Sequence, residues 1–206
     1  MIPRQESALI DGPAGKLELS ISTAHTDILR PAARGLALVA HPHPQHGGTM
    51  DNKVAQTLAK TFALLGYHAV RFNFRGVGRS EGGFDEGRGE TEDALAALAY
   101  AQQRYGPGPA VLAGFSFGAY VQTRVAQACG PERVVLVGPA VSRFEAAPVP
   151  SNTLVIHGEE DDVVPLAAVF DWARPQQLPV IVFPGCGHFF HGRLTQLQQV
   201  IAGVWH

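Results

Sequence analysis

Cysteine is scarce: Cys129 and Cys186 are the only two in 206 residues, and no C-x-x-C pair exists. That excludes a disulfide framework or a thiolate cage and fits a reducing compartment. An excess of one charge sign is also missing, since 16 Lys and Arg face 18 Asp and Glu for a net charge of −2. Neither a nucleic-acid surface nor a disordered acidic tail follows from such a balance. Long hydrophobic runs are absent too. Segments such as "GLALVA" fall far short of a membrane span, and "MIPRQESALIDG" has no basic stretch leading into an apolar one. The expectation is a cytoplasmic protein with a small-molecule partner and no membrane or nucleic-acid contact; no feature speaks to oligomeric state.

What is present is a core. Hydrophobic residues make up 46% of the chain and charged ones 17%, so residues 1–206 read as one domain. Short apolar runs, "GLALVA", "HAVRFNF", "PGPAVLAGF", "RVVLVG", "NTLVIHG" and "LPVIVFPG", alternate with segments of helical period. In one such segment Val54, Leu58, Phe62 and Leu65 share a face before Gly66. In another, Thr91 is the expected N-cap ahead of Ala94, Leu95, Leu98 and Ala101. The last carries Leu194, Leu197, Val200 and Val204. At the N-terminus "SALIDG" and "KLELSIS" flank the turn "DGPAG". This predicts an α/β fold: a mostly parallel eight-stranded sheet with helices on both faces and an antiparallel N-terminal hairpin.

The segment "HPHPQHGG" places His41, His43 and His46 close together. His-x-His spacing recurs at zinc sites, so a metal cage competes with other uses of this loop. The prolines between the histidines and the lack of a nearby cysteine argue against it. "RGVGRSEG" is a weaker signal: it lacks the third glycine or the Lys-Ser/Thr pair of a phosphate loop, and Arg75 and Arg79 read as structural.

A strand ends in "GFSFG", Gly114 to Gly118, and a helix-compatible stretch follows. In G-x-S-x-G the glycines let a sharp turn hold the serine above the sheet at a helix N-terminus, where Ser116 acts as nucleophile and the Phe117 N–H faces an oxyanion. By itself the motif is also compatible with a capping serine. Downstream, "HGEEDDVVP" puts Asp161 just past a strand end, with Asp162 its rival. "GCGHFFHG" puts His188 after the last strand, with His191 the alternative. Serine, acid and histidine thus occur in the order this kind of fold requires.

With those residues in place, "AHPHPQHGGTMDNKV", "RFNFRGVGRSEG", "AGFSFGA", "HGEEDDVVP" and "GCGHFFHG" together resemble the α/β-hydrolase superfamily. Within it, the chain is similar to small lidless serine hydrolases and esterases of the dienelactone hydrolase-like group. The resemblance implies a three-layer fold without a cap domain, and Ser116, Asp161 and His188 as catalytic triad. Two departures stand out: dienelactone hydrolases proper use cysteine where this chain has Ser116, and many relatives carry aspartate at the position of Asn73. The resemblance also places the second oxyanion donor in the loop after Ala40, at His43, with Gln45 as second choice; Pro42 and Pro44 have no N–H.

These residues predict a cofactor-free, metal-free serine hydrolase that cleaves carboxylic esters through an acyl-enzyme. Thioesterase or peptidase chemistry, or a non-catalytic binding protein of the same fold, are the alternatives. Only "PAVSRFEAAPVPS" separates two of the strands, leaving no room for a cap, so small or short-chain acyl groups are expected. Phe115, Phe189 and His46 are the expected substrate-binding residues, and Phe84, Phe117 and Phe190 are further candidates for an apolar pocket.

Overall fold

The computed structural model describes residues 4–29 and 31–205. Residues 1–3, at the head of the segment "MIPRQESALIDG", and the expected domain limits 1 and 206 lie outside the described residues. The chain opens with β1 (Gln5–Gly12) and β2 (Gly15–Ser22), then β3 (Gly35–Ala40), α1 (Lys53–Leu64), β4 (Tyr67–Phe72), α2 (Arg88–Tyr105), β5 (Ala110–Phe115) and α3 (Phe117–Cys129). It continues through β6 (Arg133–Val137), β7 (Leu154–Gly158), α4 (Leu166–Ala173), β8 (Val180–Phe183) and α5 (Leu194–Gly203). The strands form one eight-stranded sheet in the order β1-β2-β4-β3-β5-β6-β7-β8. The β1–β2 and β2–β4 pairs are antiparallel and the remaining pairs parallel, so the expected hairpin on a parallel core is present.

Alternation along the strands divides the core into two layers. Leu36, Leu38 and Phe72 face Leu98 of α2, Val125 of α3 and Val169 of α4. Ala37, Val39 and Val135 face Leu58 and Phe62 of α1 and Leu197 and Ile201 of α5. Phe62 packs edge-on against Trp205, with ring centroids 5.0 Å apart. Truncating such a buried ring to alanine costs about 3–5 kcal/mol.

Two elements differ from the sequence reading. Thr91 is not the N-cap of α2; the helix begins at Arg88, and the Thr91 hydroxyl donates to the Gly87 carbonyl at 2.6 Å. The buried Glu90 carboxylate accepts from the N–H groups of Asp85 (2.8 Å) and Gly87 (2.7 Å), satisfying the helix start from inside its first turn. Gly87 itself has φ 93°, and a Cβ there would lie 2.5 Å from the Tyr120 ring. The second, α4, has too short a buried stripe to show a period: only Val169 and Ala173 of its eight residues are buried. Between β6 and β7 the chain forms no helix or strand, so no cap covers the C-terminal edge of the sheet.

Candidate active site

The turn from β5 to α3 carries Ser116 with φ 55° and ψ −116°, a conformation that costs about 1–3 kcal/mol in a non-glycine residue. Its N–H donates to the Val137 carbonyl at 2.9 Å, which ties the turn to β6. A Cβ on Gly114 would come within 2.5 Å of the Gly118 backbone, and one on Gly118 would collide with the carbonyls of Ala40 and His41. The flanking glycines therefore answer a close approach of strand, turn and loop.

His188 follows β8 and Asp161 follows β7, and His188 stands between Asp161 and Ser116. Asp161 Oδ2 is 2.6 Å from His188 Nδ1, and His188 Nε2 is 3.0 Å from Ser116 Oγ. All three are buried, at 6%, 3% and 7% exposure. The two rivals stand apart, since Asp162 and His191 are exposed and neither joins this hydrogen-bonded chain. The other carboxylate oxygen of Asp161 accepts from the N–H groups of Val163 (3.0 Å) and Val164 (2.7 Å). Burial pushes the Asp161 carboxyl up, but the hydrogen bonds from His188 and Val164 outweigh it and hold the group below its usual range.

Sequence reasoning missed His157, the penultimate residue of β7. It is fully buried, with Nε2 2.9 Å from the Val164 carbonyl and 3.3 Å from Asp161 Oδ2. Its position four residues before Asp161, in "HGEED", is the signal by which it could have been found. Burial pushes its imidazole down, and Nδ1 has no partner among the described residues.

The histidine loop divides its labour. His41 Nδ1–H donates to the Pro42 carbonyl at 2.6 Å, and Nε2 accepts from the Phe74 N–H at 3.0 Å. Burial lowers its pKa to about 4, so the ring is a neutral brace between two loops. His43 Nδ1 accepts from the Gln45 N–H at 3.2 Å, so the reserve oxyanion donor is already engaged. Among the described residues the backbone N–H groups of His43 and Phe117 make no hydrogen bond. With both nitrogens of His41 used internally, the three imidazoles do not converge, and no group of three or more His, Cys, Asp or Glu among the described residues is arranged to hold a metal.

Asn73 has a local explanation. Its Oδ1 accepts from the Met50 N–H and its Nδ2 donates to Glu18, both at 2.8 Å. An aspartate would set a second carboxylate against Glu18. Arg75 clamps the buried Asp93 through Nη2 at 2.9 Å, a structural role as expected.

A cavity of about 390 Å³ opens over Ser116 and His188, walled by Phe117, Phe144, Phe189, His43 and His46. Phe115 is not part of this wall, contrary to expectation. As the last residue of β5 it points into the α1/α5 layer, is fully buried, and backs His188 at 4.9 Å between ring centroids. Phe190 is likewise in the core, and Phe84 lines a neighbouring cavity. Phe144, from the β6–β7 connection, was missed because that segment has no periodicity to place it.

A family model described as "Serine aminopeptidase, S33" matches residues 38–152. An α/β serine hydrolase homologue from Coxiella burnetii is 38% identical, with 98% of this chain and 97% of that one covered and a TM-score of 0.89. The chain belongs to the α/β serine hydrolases. An α/β serine hydrolase without a lid from Xanthomonas campestris is 35% identical over 97% of this hydrolase and 93% of that chain, at a TM-score of 0.91. An uncharacterized Rickettsia prowazekii protein is 33% identical over 93% of this chain and 84% of its own length. A lysophosphatidylserine lipase of Danio rerio shares 38% identity over 109 residues, which is half of this hydrolase but only 28% of the lipase. No helix among the described residues is long and apolar enough to cross a membrane.

Proposed function

We propose that this α/β serine hydrolase cleaves carboxylic esters with small or short acyl groups. Ser116, deprotonated by His188, attacks the ester carbonyl, and the N–H groups of Phe117 and His43 hold the oxyanion. His188 then passes the proton to the departing alcohol, and water repeats the sequence to release the acid and restore Ser116. Asp161 keeps the imidazole in the tautomer that accepts from serine and stabilises the imidazolium as it forms. The observation that carries this reading is the unbroken chain of 2.6 Å and 3.0 Å contacts from Asp161 through His188 to Ser116. The reading is supported by the backbone N–H groups of Phe117 and His43, which make no hydrogen bond among the described residues and belong to residues that line the cavity with Ser116. The lidless cavity, at about 390 Å³, suits a small ester or the accessible end of a larger one.

The test combines labelling and turnover. A fluorophosphonate is expected to add one equivalent at Ser116, and Ser116→Ala is expected to abolish both the label and hydrolysis of para-nitrophenyl acetate. Undiminished turnover in that variant would overturn the mechanism. A panel of matched esters, thioesters and amides of rising chain length then fixes the acyl preference.

A further inference from the structure

The wall of the catalytic cavity is apolar or weakly polar apart from its histidines and one residue. Arg143, on the β6–β7 connection, is the sole permanently charged side chain lining it, and it has no ion pair among the described residues. A second, more open cavity of about 480 Å³ adjoins the first, and His43, Phe144 and Arg143 line both. Its floor is aromatic: Phe144 stacks on Tyr120 at 4.7 Å, and His43 lies 4.8 Å from Phe84 between ring centroids. Three arginines and two glutamates also line it. Arg88 is committed, since its guanidinium pairs with Asp85 at 2.8 Å and with Glu86 at 3.5 Å. Arg124 is half-buried, and among the described residues its guanidinium is engaged through Nε alone, by the Thr91 hydroxyl at 3.3 Å. That leaves Arg124 and Arg143 as cations with no carboxylate partner among the described residues, on the wall of the cavity that adjoins the catalytic one.

We propose that the second cavity receives an anionic end of the substrate. The ester would carry a carboxylate or phosphate held between Arg124 and Arg143, its apolar part crossing the Phe144 and Tyr120 rings while the carbonyl sits at Ser116. Guanidinium groups suit both anions because their planar forks match carboxylate and phosphate oxygens. This inference rests on the ester-hydrolase reading and narrows its substrate class to anionic esters.

Two matched sets of esters test it. In the first, charge is on the acyl side: mono(para-nitrophenyl) adipate against para-nitrophenyl hexanoate. In the second it is on the leaving group: para-acetoxybenzoate and para-acetoxyphenyl phosphate against para-acetoxybenzamide, so that the two anion types are separated. The expected result in at least one set is a kcat/KM about five-fold higher for the anionic ester, expressed through KM. Arg143→Gln and Arg124→Gln are each expected to lower that ratio, Arg143→Glu to invert it, and salt at about 0.5 M to erase it. A ratio near one in both sets, or a preference that survives both substitutions, overturns the inference while leaving the hydrolase reading intact. Failure of every ester to turn over, together with no fluorophosphonate label, overturns the hydrolase reading and this inference with it.

Discussion

His41 and His188 are both buried imidazoles with both ring nitrogens engaged, yet their surroundings give them opposite capacities. His41 is held by backbone alone, between the Pro42 carbonyl and the Phe74 N–H. Neither partner can exchange a proton, and burial takes its pKa down to about 4. His188 is held between the Asp161 carboxylate and the Ser116 hydroxyl. In the proposed mechanism a second proton on that ring is stabilised by the carboxylate as the serine gives it up. A buried histidine becomes a brace or a base according to what its nitrogens face, and residue type and burial do not separate the two.

The largest expected effects lie on the side of His188, the proposed base. Ser116→Ala or His188→Ala is expected to lower kcat by on the order of 10⁶, and the double variant by no more than either alone, because the two groups act as one unit. Steady-state and burst kinetics on para-nitrophenyl acetate measure this. Additive losses would mean that His188 does not serve Ser116.

The next step down concerns the third member of that chain. Asp161→Asn is expected to cost about 10⁴ in kcat by favouring the wrong tautomer of His188. Asp162→Asn, an exposed change, should stay within about two-fold. Reversed magnitudes would move the acid to position 162.

Most of the scaffold, and the three residues that meet in the hydrogen-bonded chain at Ser116, could be read from the sequence because each rests on a local pattern. The strands of the parallel sheet are short apolar runs, and "GFSFG" encodes its turn through glycines that only a crowded strand-to-helix junction demands. Most of what escaped reading depends on contacts distant in the chain, Thr91 being the local exception. Phe115 and Phe117 look equivalent on either side of Ser116, but one ends a strand facing α1 and α5 and the other begins a helix at the cavity wall. Thr91 has the composition of an N-cap, while the helix start is set by Glu90 reaching back to Gly87. Phe144 and Arg143 sit in a segment with no period, and only the fold brings them to the cavity.

A finer comparison lies within the histidine loop, between the side chain of His43 and its backbone. His43 has φ −54°, which a proline ring accepts, so His43→Pro removes the N–H with little change of path. The expected loss is on the order of 10²-fold in kcat, whereas His43→Ala keeps the donor and should retain most of the turnover. Equal losses in the two variants would assign the effect to the imidazole instead.

The smallest expected effect returns to His41 and is read in stability. An unfolded chain takes up a proton on this residue below about pH 6.5, and the folded protein refuses it until about pH 4. The contribution is therefore whole above pH 6.5 and drains away as pH falls through that window. Between about pH 7 and about pH 5 the loss amounts to about 2 kcal/mol, visible as a lower urea midpoint. In His41→Gln the drop over that interval should shrink even though stability at neutral pH is lower. The slope that remains belongs in part to His157, which burial shifts in the same direction. Asp161 acts elsewhere: its carboxyl is held below 3.8, so its contribution is lost only at more acid pH. An unchanged drop in His41→Gln would mean that His41 carries a proton in the folded protein and is no neutral brace.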